Sequence, residues 1–140
     1  MANAKFEVEI YGNTASFENS LKGINTAMSA LKSEASGLKG ALKLDPTNTQ
    51  LMAKLQGNFR TQLEQTKNKA SQLKSEISGI DKSDPDGQKK FLKLSRDLQT
   101  AETRAGYLQQ DIKNLDASIA GGEFKLNLQT DQAENGLEKI

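Results

Sequence analysis

Residues 5–11, KFEVEIY, alternate apolar Phe6, Val8 and Ile10 with charged Lys5, Glu7 and Glu9. A period of two predicts a short, half-buried strand over about 5–11. Gly12, Asn13 and Thr14 follow as turn and N-cap residues, and the period then changes. Apolar or small side chains fall at Phe17, Leu21, Ile24, Met28, Leu31, Ala35, Leu38 and Leu42, in steps that alternate four and three. That spacing is the narrow seam of a left-handed coiled coil, and it predicts a helix over about 14–44. Gly23, Gly37 and Gly40 lie off the seam and each costs about 1 kcal/mol relative to alanine. The helix therefore depends on a partner.

Asp45-Pro46 interrupts the pattern. The residue before a proline is pushed out of helical backbone, whereas proline suits the first position of a new helix. Asp45 is thus expected to cap, and Pro46 to open, a second helix over about 46–80. Its seam reads Met52, Leu55, Phe59, Leu63, Thr66, Ala70, Leu73, Ile77 and Ile80. Steps of three, four and four between Met52 and Leu63 predict a stutter that locally unwinds a supercoil. A second break, DKSDPDGQ at 81–88, makes Asp84 the expected cap and Pro85 the opening of a third helix over about 85–119. Its seam runs through Phe91, Leu94, Leu98, Ala101, Ala105, Leu108, Ile112, Leu115 and Ile119, and Gly121-Gly122 stops it. EFKLNLQ, residues 123–129, returns to a period of two with Phe124, Leu126 and Leu128, predicting a second strand. DQAENGLEKI, 131–140, opens a further helix.

The fold class expected is mainly α: three long antiparallel coiled-coil-like helices flanked by short strands. Each helix would be about 46–51 Å long. Tight breaks between helices of matched length favour up-down-up folding over a corner between helices left roughly in line. Residues 1–120 would form the strand and three-helix module. Residues 121–140 would start a second strand-helix unit, because the two ends resemble one another. Phe6, Val8, Ile10 and Ala15 sit over Phe124, Leu126, Leu128 and Ala133, and Glu18-Asn19, Leu21 and Ile24 match Glu134-Asn135, Leu137 and Ile140 with two residues skipped. A second copy that breaks off at Ile140 suggests the N-terminal portion of a longer chain. In such a bundle the strands would emerge roughly 45 Å apart, and each reaches only about 23 Å. Phe6, Val8, Ile10, Phe124, Leu126 and Leu128 are therefore expected to pair between molecules or with a partner.

Composition narrows the function classes. The 140 residues carry 19 Lys and Arg against 18 Asp and Glu, a net charge of +1, which offers no footprint for nucleic acid or an acidic membrane. There is no Cys, His or Trp. Cysteine nucleophiles, histidine bases and zinc or haem-type ligation are excluded together, as is a disulfide scaffold. The charged N-terminus lacks the apolar core of a signal peptide, and no stretch approaches the ~18–20 apolar residues of a membrane span. Hydrophobic residues at 35% and aromatics at 5% are lean for a thick core and adequate for a seam.

Candidate chemistry is sparse. Asp81, Asp84 and Asp86 with Gly87 suggest a calcium loop. Aligning Gly87 with that loop's glycine places Lys82 and Lys93 at its first and last ligand positions, which defeats it. Lys89, Lys90, Lys93 and Arg96 make a basic flank interleaved with Asp97, Glu102 and Asp111, a solvated face. No serine or threonine has a base, and no glycine-rich loop ends in GK[ST]. Tyr11 and Tyr107 are isolated. No catalytic, cofactor or metal residues are expected, and no enzyme.

The stretch LKLDPTNTQLMAKL, 42–55, resembles a segment of the tail tape measure proteins of long-tailed phages of Gram-positive bacteria. KFEVEIYGNTASFENSLKGIN at the start and GQKKFLKLSRDLQTAETRA at 87–105 are similar to the same N-terminal region. The resemblance covers most of the chain and rests on seam and helix punctuation taken in order. It implies a non-catalytic virion structural protein acting in tail assembly and tail-length determination. It implies location in the tail lumen, and in host cytoplasm during assembly. The partners implied are tail assembly chaperones, the tail tube protein and distal tail proteins, with self-association, no nucleic-acid recognition and no membrane segment in this region. The alternative from the residues alone is a spectrin-like three-helix coiled-coil adaptor or binding module. Two fold-backs shorten the molecule, which suits a docking module better than a ruler.

Overall fold

A computed structural model describes the backbone of residues 2–125 and 128–131, with side chains for 15–125 and 128–131. Three long helices follow one another: α1 (Ala2–Leu44), α2 (Thr49–Ser78) and α3 (Pro85–Gly121). The cross-helix hydrogen bonds fix their directions. Asn58 of α2 reaches the Leu31 carbonyl of α1, and Lys69 reaches Asn25. On the other side, Gln56 reaches the Ile112 carbonyl of α3, Gln62 meets Arg104, and Glu76 meets Lys90. Numbers rising on one helix as they fall on the next mean that both neighbours run antiparallel to α2.

α2 is the centre of this arrangement. It packs on both α1 and α3, whereas among the described residues no Cα of α1 comes within 8 Å of a Cα of α3. A helix with two neighbours must bury a broader face than a single seam. Its buried residues accordingly include Gln56, Asn58, Gln62 and Thr66 beside Met52, Leu55, Phe59 and Leu73. The stripe Met52, Leu55, Phe59, Gln62, Thr66 keeps steps of three and four, while Leu63 is only half-buried. A regular register thus passes through a polar residue, Gln62, while Leu63, where the stutter was placed, packs against the core beside it.

The helix ends follow their local chemistry, with one correction. Asp45 was expected to cap α2 and Pro46 to open it. Instead Asp45 still donates back to Ala41, its carbonyl accepts from Asn48 N–H at 3.2 Å, and Asp45-Pro46-Thr47-Asn48 form a turn. Asn48 is the cap, its Oδ1 accepting from Leu51 N–H at 3.0 Å. Proline's fixed φ serves the second position of a turn as well as the first of a helix, and a reversal needs those extra residues. Asp84 caps α3 and Pro85 is its first residue. At the far end Gly122 adopts φ 75°, its N–H meeting the Ile119 carbonyl while Glu123 N–H meets that of Ser118. This is a Schellman ending, which favours glycine at the left-handed position.

The flanking strands are also corrected. The backbone over 5–11, bearing Phe6, Val8 and Ile10, is part of α1. A lone strand leaves its N–H and C=O groups without a ladder, while a helix satisfies them within itself. No strand occurs among the described residues of 123–129; Phe124 and Leu128 pack inside the bundle, and Leu126 lies outside the described residues.

The seam residues line the interior. Ile24, Met28, Leu42, Leu55, Phe59, Leu73, Leu94, Leu108 and Leu115 are buried. Phe17, Leu21, Leu31, Leu38, Leu63, Ile77, Phe91, Leu98, Ile112 and Ile119 are half-buried. The densest cluster gathers at the α1–α2 turn, where Leu42, Met52, Leu55, Phe59, Leu108 and Leu115 meet Phe124 and Leu128.

Candidate functional site

The feature that sets this bundle apart lies between α1 and α3. Because those two helices stay apart, a groove opens between them over the face of α2 that bears Met52 and Leu55. Residues 124–125 and 128–131 lie in it as a strap. Gly122 turns the chain back, and Phe124 N–H donates to the Pro46 carbonyl at 2.7 Å, tying the strap to the α1–α2 turn. Phe124 and Leu128 are 6% and 1% exposed. Burying each side chain contributes about 1.5–3 kcal/mol.

Asp111 of α3 holds the other end. It is fully buried, and its carboxylate accepts from Gln129 N–H at 2.6 Å, Thr130 N–H at 3.0 Å and Thr130 Oγ1 at 2.8 Å. Residues 129–131 have helical backbone, so Asp111 supplies the start of that turn with the acceptor a helix N-terminus lacks. A buried carboxylate is stable only when its oxygens are satisfied in this way. On the opposite wall Lys39 of α1 pairs with Asp131. The strap thereby bridges two helices whose Cα atoms, among the described residues, stay more than 8 Å apart.

Below the strap a polar chain crosses the bundle. Asn58 Nδ2 donates to the Leu31 carbonyl at 2.9 Å, Gln62 Nε2 to Asn58 Oδ1 at 2.7 Å, and Arg104 Nη2 to Gln62 Oε1 at 3.1 Å. These bonds link α1, α2 and α3 and hold both pairs in one register. Sequence reasoning missed Asn58 and Gln62 because it ranked seam positions by apolarity, and it placed Asp111 on a solvated face, which is corrected here: Asp111 is fully buried because the strap satisfies its carboxylate. The available signal was spacing: Gln62 is three residues after Phe59, and Asp111 three after Leu108.

The opposite end holds a cleft lined by Phe17, Ser20, Gln72, Glu76, Asp84 and Lys90. Its acids are engaged locally. Glu76 pairs with Lys90 at 2.9 Å, and Asp84 caps α3. Asp81 accepts from the Ser83 hydroxyl and N–H, which hold its carboxyl below the ordinary 3.8. Lys82 lies over the Phe91 ring, 4.4 Å from its centre. Among the described residues no acidic group has the makings of a metal site, and no helix is long and apolar enough to cross a membrane.

A Lactococcus phage SK1 protein named as a probable tape measure protein is 57% identical over 130 residues, 93% of this chain. The chain is a homologue of phage tail tape measure proteins. Two further relatives carry the same name. The tape measure protein of Lactococcus phage F4-1 is 70% identical over 57 residues, 41% of this chain, and the probable tape measure protein of Lactococcus phage p2 is 71% identical over 52 residues, 37% of it. The matches span 13%, 16% and 5% of those relatives, so this tape measure region corresponds to a small part of each. Neither a family model nor a solved structure matches it.

Proposed function

We propose that this tape measure region is a non-catalytic structural module of the phage tail, acting in tail assembly and tail-length determination as a folded-back helical bundle. The single observation that carries the reading is the 57% identity across 93% of the chain. The SK1 relative is a chain on the order of a thousand residues, as suits a ruler far longer than this region. Within such a chain the bundle contributes the axial length of one helix rather than three, so it adds little to the measured length itself and bears on it mainly through docking or initiation. The partners it would meet are tail assembly chaperones, tube protein, distal tail proteins and further copies of itself, in host cytoplasm during assembly and then in the tail lumen.

Electron microscopy of tails after in-frame deletion of residues 46–119 from the parent phage tests this. As one straight helix that segment would span roughly 111 Å. The expected outcome is far fewer tails, with any that form shortened by much less than that. A loss of the full 111 Å would make the region ruler and overturn folding back inside the tail. Normal numbers of infectious tails would overturn the assembly role.

A further inference from the structure

The strap lies against the α1–α2 reversal. α1 is held by α2 along its seam and by the strap, and its backbone keeps clear of α3. The strap touches the reversal itself through Phe124 N–H and the Pro46 carbonyl. It is anchored by two apolar side chains, one carboxylate and one ion pair, and leaves α3 through Gly121-Gly122, with Gly122 at φ 75°.

We propose that residues 124–125 and 128–131 form a releasable latch that locks α1 against α2, with Asp111 as the residue that holds it shut. With the strap seated, Leu128 and Phe124 complete the cluster formed by Leu42, Leu55 and Leu115, and α1 is clamped between α2 and the strap. With the strap out, that end of α1 loses a wall, Leu42 and Leu115 gain access to water, and the turn at 45–48 becomes the hinge about which α1 swings. Asp111 couples the two states because its satisfaction depends on the strap: a carboxylate with no exposure is stable in the closed form only while Gln129 and Thr130 donate to it. The hinge and the latch sit at the same end of the bundle, so a short displacement of the strap becomes a large movement of the far end of α1.

The test uses the full chain, which contains no cysteine, so an introduced pair is unique. Lys22→Cys on α1 and Ser71→Cys on α2, both exposed, take spin labels for distance measurement by pulsed electron resonance. The otherwise unaltered chain is expected to give one short distance. Adding Phe124→Ala and Leu128→Ala is expected to create a second, longer population, reaching about 70 Å if the helices lie in line, while circular dichroism keeps its helical amplitude. A single short distance in that variant overturns the latch. If the variant loses its helices, hydrogen exchange in the unaltered chain decides. The Gln129 and Thr130 amides are expected to exchange at least about tenfold faster than that of Phe59 in α2, as for a unit that opens by itself. Exchange at the same rate as Phe59 overturns the proposal.

Discussion

Asn58 donates to the Leu31 carbonyl across the α1–α2 interface at 2.9 Å while its own Oδ1 receives Gln62 Nε2 at 2.7 Å. One buried amide thus sets the register of the first helical hairpin and connects it to the second. Asn58→Ala removes both bonds and leaves the buried Gln62 amide short of an acceptor. A loss of about 1–3 kcal/mol is expected, read as a lower urea midpoint at unchanged slope. Asn58→Leu should cost less, since it fills the space, but should broaden the amide spectrum by relaxing the register.

Leu115 is 1% exposed and Leu44 is 90% exposed, although both are leucines near the ends of long helices. Truncating Leu115 to alanine opens a cavity in the cluster with Leu55 and Leu128, and a loss of about 2–5 kcal/mol is expected. Leu44→Ala should stay within about 0.5 kcal/mol. Thermal unfolding of the two variants side by side checks the contrast.

Glycines divide in the same way. A Cβ on Gly87 would lie 1.9 Å from the Asp81 carbonyl oxygen, so the α2–α3 loop must move to admit it; a Cβ on Gly106 meets nothing within 4 Å. Gly106→Ala is expected to stabilise the protein by about 0.5–1 kcal/mol, and Gly87→Ala to destabilise it. The glycine that resembles part of a calcium loop is there to let two backbones approach.

Asp81 is held below 3.8 by the Ser83 hydroxyl and, next, by the Ser83 N–H. Its folded value lies beneath its unfolded one, so the favourable interaction is fully present above 3.8 and is lost as pH falls through the folded value. A carboxyl-carbon NMR titration should place the Asp81 midpoint below 3.8. In Ser83→Ala the midpoint should rise toward 3.8, with the N–H contribution remaining.

Much of the helical architecture was legible in the residues. The alternating steps from Phe17 to Leu42 and from Phe91 to Ile119 are local periodicities, and Asp84-Pro85 and Gly121-Gly122 are local punctuation. Each acts within a turn or two of helix, so each is written in neighbouring letters. Alternation over 5–11 and 123–129 was legible as well, but what it means depends on a partner strand that the described molecule does not provide.

What the tertiary structure decided is how these pieces meet. That α2 is central, that its register runs through Gln62, and that Asp111 is buried all depend on which helices are neighbours, and a polar side chain is stable inside only when a distant residue satisfies it. The fate of Phe124 and Leu128 has the same origin. Their apolarity determined that they would be covered; the separation of α1 from α3 determined that the cover is the molecule's own groove.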